Sequence, residues 1–179
     1  MTVYTIGHST REHAELFAML RRNRVTLLCD IRSYPSSRFC PQWNRQAIID
    51  ALPADIGYTH LPRLGGKRQA LPASESSNGG WRNAAFRGYA DYMQTAAFQA
   101  GLAELLEHTA RQTVAIMCAE ALPWRCHRSL VADALIARGV QVCDIMSMTA
   151  TRPAVIHAFA HVQDGHVSYP PATPGAGLG

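Results

Sequence analysis

Between Cys118 and Ser129 the chain gathers two thiols (Cys118, Cys126), a carboxylate (Glu120), an imidazole (His127), two guanidiniums (Arg125, Arg128) and a hydroxyl. The run before them, Val114 to Met117, is apolar, and Leu130, Val131, Ala134 and Leu135 after them recur at helical spacing, with Gly139 as a stop. The pattern reads as buried strand, polar loop and helix N-terminus. Such a helix start presents unpaired N–H groups and the positive end of a dipole, which favours anions and thiolates. Cys126 at that start is a candidate nucleophile of lowered pKa, flanked by Arg125, His127 and Arg128; the plainer reading is a buried thiol without chemistry.

Arg128 falls in the first helical turn, where a cation opposes the dipole unless a bound anion or the Glu120 carboxylate compensates it. Asp30 and Glu120 are candidates for general acid–base work, with plain salt bridging as the alternative. His8 and His127 are candidate acid–base groups, or zinc ligands together with Cys118 or Cys126. The linear spacing matches no known zinc finger or catalytic zinc pattern, so neither a metal nor another cofactor is expected. Arg32, Arg38, Arg63, Lys67 and Arg68 alternate with Tyr34, Phe39, Trp43 and Tyr58, a mixture that grips phosphates while rings stack on bases. Gly65-Gly66 reads as a turn rather than a phosphate cradle.

These residues need elements to position them. Thr2 to Gly7 reads as a first strand, and Ser9 with Glu12 as a capping box before a helix whose apolar face is His13, Leu16, Phe17 and Leu20. Val25 to Ile31 is a second strand, residues 33–43 a loop punctuated by Pro35 and Pro41, and Asn44 a cap for a helix reaching Leu52. Ile56 to Leu61 reads as a third strand. Residues 69–85, rich in small polar residues and glycine, are a candidate mobile lid or disordered loop. Phe86 to Met93 and Phe98 to Ala110 carry helical spacing, Val140 to Ile145 a last core strand, Val155 to Phe159 a short helix, and His161 to Tyr169 a hairpin turning at Asp164-Gly165.

Strands alternating with helices predict one α/β domain over residues 1–169, a mostly parallel sheet with helices on both faces, and a loose tail over 170–179. Ligands in such sheets bind beyond the carboxyl ends of the strands, where His8, Asp30, Arg32, Arg63 and Glu120 are expected to converge, joined by Cys126, His127 and Arg128.

The chain has 179 residues, 47% hydrophobic and 17% charged, with a formal net charge of +4. That balance suits a globular domain and is compatible with phosphate-bearing partners. Five cysteines without a Cys-x-x-Cys pair, and no basic-apolar leader at the start, point to free thiols in a reducing, cytoplasmic setting. No apolar run is long enough to predict a membrane span.

Four blocks carry a resemblance to a known family: Thr5-Ile6-Gly7-His8-Ser9; Asp30-Ile31-Arg32 with Pro35 and Ser37-Arg38; Leu64-Gly65-Gly66; and Cys118-Ala119-Glu120 with Pro123 and Cys126-His127-Arg128. In this order, over roughly residues 3 to 145, the chain resembles the domain of unknown function 488 family of small bacterial and archaeal proteins. The likeness extends loosely to the end hairpin with Tyr169-Pro170. It departs at Asp144, where that family often has a histidine before the isoleucine. The resemblance implies a fold and a residue cluster, and no settled reaction.

The combined expectation is a strand-end site for an anionic ligand, a nucleotide or nucleic-acid phosphate, in a protein of hydrolase or transferase type. Arg32, Arg38, Arg63, His127 and Arg128 would bind the ligand, with Glu120 or Asp30 as acid or base and His8 or Cys126 assisting. The competing expectations are a non-catalytic nucleic-acid-binding or regulatory module, and a metal or thiol protein.

Overall fold

The computed structural model describes residues 1–172. Five short strands pair in parallel: β1 (Thr2–Gly7), β2 (Leu27–Asp30), β3 (Gly57–His60), β4 (Val114–Cys118) and β5 (Gln141–Ile145). The sheet order is β3-β2-β4-β1-β5-β6, with β6 (Thr151–Pro153) added antiparallel to β5 at the edge. Gly7 lies opposite Cys118 and Asp30 opposite Met117, so the central strands end nearly level.

The period-2 alternation of the strands sorts their side chains between two apolar layers. Ile6, Leu28, Ala115 and Met117 pack under α1 (His13–Arg22) and α2 (Arg45–Ala51), against Leu16, Leu20 and Ile48. Val3, Cys29, Ile116 and Val142 face the other way, into the layer of α3 (Ala84–Met93), α4 (Ala96–Thr109) and α5 (Arg128–Ile136). Burial on both faces is why the central strands β2 and β4 read as apolar runs rather than as alternating ones.

The chain moves outward to β3 through α1 and α2, then back across β4 to β5 through α3, α4 and α5. Crossovers of one hand require the helices to change face when the direction reverses. The reversal leaves β2 and β4 adjacent with diverging exits, the arrangement that opens a crevice at carboxyl ends. The expected single-domain α/β sheet with helices on both faces is the architecture observed.

Several local expectations are corrected. The Ser9–Glu12 capping box does not form: α1 starts after Glu12 without a side-chain cap, and Ser9 adopts φ 49° in the turn after β1. Asn44 precedes α2, but its Oδ1 accepts from the Ser37 N–H at 2.5 Å instead of capping the helix. Residues 155–159 are not helical, because neighbouring elements take up the local backbone donors: Ala154 N–H bonds the Val142 carbonyl and His157 N–H the Asp133 carboxylate. The hairpin is present as β7 (His161–Gln163) and β8 (His166–Ser168). Its turn residues Asp164 and Gly165 both have positive φ, as a type I′ turn requires.

Residues 69–83 are irregular, and their far half is pinned down. Ser76 Oγ and Asn78 Nδ2 both donate to Asp91 Oδ1, at 2.6 and 2.8 Å, and Asn78 Oδ1 accepts the Tyr169 N–H at 2.8 Å. Pro170 and Pro171 continue against Gly80 and Gly79. Of the tail expected over 170–179, residues 173–179 lie outside the described residues. Among the described residues no helix is long and apolar enough to cross a membrane.

The C-terminal hairpin is latched to α5 by one carboxylate. Asp133, 1% exposed, accepts from Tyr169 Oη and from His157 Nδ1, each at 2.6 Å. Tyr169→Phe removes one donor from a buried anion, which should lower the unfolding free energy by about 1.5–3 kcal/mol. Urea unfolding at unchanged m-value is the measurement; an unchanged midpoint would mean that the latch carries no stability.

Candidate functional site

Three turns meet at the carboxyl ends of β1, β2 and β4. His8 follows β1 and stacks on Trp43 at a centroid distance of 5.0 Å. Its Nδ1–H donates to the Ser9 carbonyl at 2.8 Å, a contact that fixes the tautomer and leaves Nε2 as an acceptor for Arg32 Nη1 at 3.1 Å. Burial lowers the His8 pKa and the adjacent guanidinium acts in the same direction, so the ring is a neutral acceptor.

Arg32, just beyond β2, grips Asp30 side-on. Nε donates to Oδ1 at 2.9 Å and Nη2 to Oδ2 at 2.6 Å, while Nη2 also reaches the Trp43 carbonyl. Tyr58 Oη donates to the same carboxylate at 2.9 Å, and the His60 ring holds the Arg32 carbonyl at 2.8 Å. Asp30 is fully buried with every lone-pair direction engaged, which makes it an anchor rather than an acid or base.

The α5 side holds a sulfur–nitrogen cluster. Alternation along β4 turns residues 114, 116 and 118 toward α5, so Cys118 at the strand end faces the start of that helix. Cys126, extended at φ −130°, is followed by His127 at φ −55°, and this bend swings the two neighbouring side chains together. His127 Nδ1 lies 3.8 Å from Cys118 Sγ and 3.6 Å from Cys126 Sγ. Its Nε2–H donates to the Ile31 carbonyl at 3.2 Å. Cys126 donates its S–H toward Cys118, and this with the His127 contacts brings the Cys118 pKa well below the usual thiol range against the opposing effect of burial. The same hydrogen bond and burial push Cys126 up. The two sulfurs act as one pair, with one thiol made acidic by the proton that the other keeps.

Gly66 explains the Leu64-Gly65-Gly66 block: a Cβ there would overlap the His127 ring. Gly7 has a similar duty, since a Cβ would collide with the Glu120 carbonyl where the two turns cross.

Arg128, 1% exposed, does not reach the cleft. Its Nη groups donate to the backbone carbonyls of Glu120 and Ala121, and Nε donates to Thr5 Oγ1 at 3.3 Å. Thr5 in turn donates to Asp144 Oδ1 at 2.7 Å. The compensation expected from the Glu120 carboxylate comes instead from carbonyl dipoles and, through a hydroxyl, from Asp144.

Above these groups lies an open cleft of about 740 Å³. His8, Arg32, Glu120, Cys126 and His127 line it, as expected, and Cys118, Lys67 and Arg125 join them. Asp30 and Arg128 lie beneath it. Arg38 is exposed on the 33–43 loop without lining it. Arg63 does not converge with the others: β3 is the edge strand, and the single 3-10 turn Pro62–Leu64 directs this side chain to Glu104 on α4, at 3.5 Å. Cys118 and Gly66 are the residues to which sequence reasoning gave too little weight. The β4 alternation was a usable signal for the first; the second needed the tertiary contact.

Fold and site together define a doubly wound α/β protein with a cysteine–histidine cluster at its strand-end crevice. The chain belongs to the family described as Domain of unknown function DUF488, which matches residues 12–135. No curated protein and no solved structure matches it.

Two outcomes test this geometry. Arg128→Ala strips the carbonyls of Glu120 and Ala121 of their donor and should cost at least about 3 kcal/mol in urea unfolding. In reduced, chelator-treated protein, one thiol of the Cys118–Cys126 pair should be alkylated by iodoacetamide with a pH midpoint below the ordinary thiol value of about 8.5. Cys118→Ser should abolish that phase. A depressed folded-state pKa stabilises the protein above the unfolded thiol pKa, and this contribution fades as pH falls through the folded value.

Proposed function

We propose that the cleft binds a phosphate-bearing ligand, a nucleotide or a short single-stranded stretch of nucleic acid, and that the protein acts on it as a hydrolase or transferase in a reducing, cytoplasmic setting. The observation that carries this reading is the mouth of the cleft, where the exposed Tyr34 ring and the cations Lys67 and Arg125, unpaired with any carboxylate among the described residues, line the opening. Tyr34 is 70% exposed and has Lys67 Nζ 5.6 Å from its ring centroid. Outside the lining, Trp124, 48% exposed, precedes Arg125 and carries Arg152, which is itself paired with Asp144 at 3.4 Å. Phe39, 98% exposed, stands on the same loop as Tyr34. Large rings left in water beside cations stack on bases while the cations meet phosphates.

The deeper arginines are spoken for. Arg32 is neutralised by Asp30 and Arg128 is held by carbonyls, so Lys67 and Arg125 are the lining cations left for phosphate. Glu120, exposed in the cleft and without an ion pair among the described residues, is the carboxylate placed to move a proton there. Asp30 is withdrawn from that role.

Fluorescence anisotropy with a short single-stranded oligonucleotide and with a nucleoside 5′-phosphate, at two salt concentrations, tests the reading. Wild-type protein should bind with an affinity that falls linearly in log salt, and the Lys67→Ala/Arg125→Ala pair should weaken binding at least tenfold and reduce the slope by about two. Arg63→Ala, on the far side of β3, should change nothing. No binding at low salt, or equal loss in the Arg63 variant, would remove phosphate ligands from this cleft.

A further inference from the structure

Phosphate binding calls on the cations at the mouth and leaves the thiols and imidazole on the floor of the cleft without a role. We propose that Cys118 Sγ, Cys126 Sγ and His127 Nδ1 hold a divalent metal ion of the zinc class, with its fourth coordination position open to the cleft. The three donor atoms lie within 4.8 Å of one another, and no other Cys, His, Asp or Glu among the described residues completes the set.

The spacing fits such an ion. Tetrahedral bonds of about 2.3 Å to sulfur and 2.0–2.1 Å to nitrogen put sulfur and nitrogen roughly 3.6 Å apart along an edge. The two sulfur–nitrogen distances here are 3.6 and 3.8 Å. The imidazole is also oriented as a ligand would be. Its Nε2–H is held by the Ile31 carbonyl, so the Nδ1 lone pair faces the sulfurs, the outer contact that metal-binding histidines commonly make. Gly66 is bare where a side chain would push this ring away. Two thiolates and one neutral imidazole cancel a divalent charge, which suits a floor where Cys118 and Cys126 are 8% and 5% exposed. Soft sulfur with imidazole selects zinc over magnesium or calcium.

Three protein ligands and one open position are the pattern of a reactive rather than a structural zinc site. Glu120, two residues beyond Cys118, lines the same cleft. The linear spacing hid this set because strand β4, the Pro123–Arg125 turn and the bend at Cys126 supply the proximity. The proposal depends on the phosphate reading only for what occupies the fourth position.

Zinc titrated into the reduced, chelator-treated full-length chain, in competition with a chromophoric chelator, should bind one equivalent and raise the melting temperature. Cobalt in its place should give tetrahedral d–d bands and a thiolate charge-transfer band. Cys118→Ser, Cys126→Ser and His127→Gln should each weaken zinc at least tenfold, whereas Cys40→Ser and Cys143→Ser should not. Circular dichroism of each variant separates lost metal binding from lost fold. Uptake unchanged in the cluster variants, or a reduced protein that takes no zinc and instead closes a Cys118–Cys126 disulfide in air, would overturn the site. Inorganic phosphate or azide should shift the cobalt bands, and unmoved bands would overturn the open position. Oligonucleotide binding is read separately, so its failure leaves the metal result standing.

Discussion

The strand-end floor buries two guanidiniums, and the site takes its form from how each is compensated. An uncompensated charge in such a place costs several kcal/mol, more than most single contacts return. Arg32 is therefore wrapped by Asp30, the Trp43 carbonyl and the His8 ring, which ties the ends of β1 and β2 to the 33–43 loop. Arg128 is wrapped by the Glu120 and Ala121 carbonyls and by Thr5, which ties the turn after β4 to α5 and β1. Each pins the turns that it touches, and between them the three turns become one rigid rim. Asp30 neutralises Arg32, and Arg128 does not line the cleft, so the chemistry passes to other groups.

Much of the fold was legible in the chain because burial on both sheet faces leaves unbroken apolar runs, and the central strands β2 and β4 announce themselves that way. The edge strand Thr151–Pro153 did not, since three exposed residues with a proline carry no such pattern. The convergence of His8, Arg32, Glu120, Cys126 and His127 followed from placing strand ends together. The misplacement of Arg63 came from treating all strand ends alike, when β3 is an edge strand whose exit turns away. Arg128 was read as a ligand-facing cation because sequence shows a charge and not its carbonyl partners. Backbone acceptors have no letter of their own.

The cleft separates two kinds of affinity. Its mouth offers hard cations and flat rings, and its floor offers sulfur and an imidazole lone pair. An anionic ligand anchored at Lys67 and Arg125 would present its far end to Cys118, Cys126 and His127, with Glu120 alongside. This polarity argues against a simple electrostatic groove. A groove that only grips a phosphate chain gains nothing from two thiols at its base, where burying them among apolar neighbours would be safer against oxidation.

Asp144 bears on the same point from beneath. At the position before Ile145, where the family resemblance leads one to expect a histidine, this chain has a carboxylate 3% exposed. It accepts from Thr5, which in turn accepts from Arg128, so a buried anion and a buried cation are joined through one hydroxyl. Asp144 also pairs with Arg152 at 3.4 Å, so one buried carboxylate serves two guanidiniums, Arg152 directly and Arg128 through Thr5. The carboxylate at 144 therefore holds β5, β6 and the start of α5 together beneath the thiol pair, a structural duty that leaves the chemistry of the floor to the sulfurs and His127.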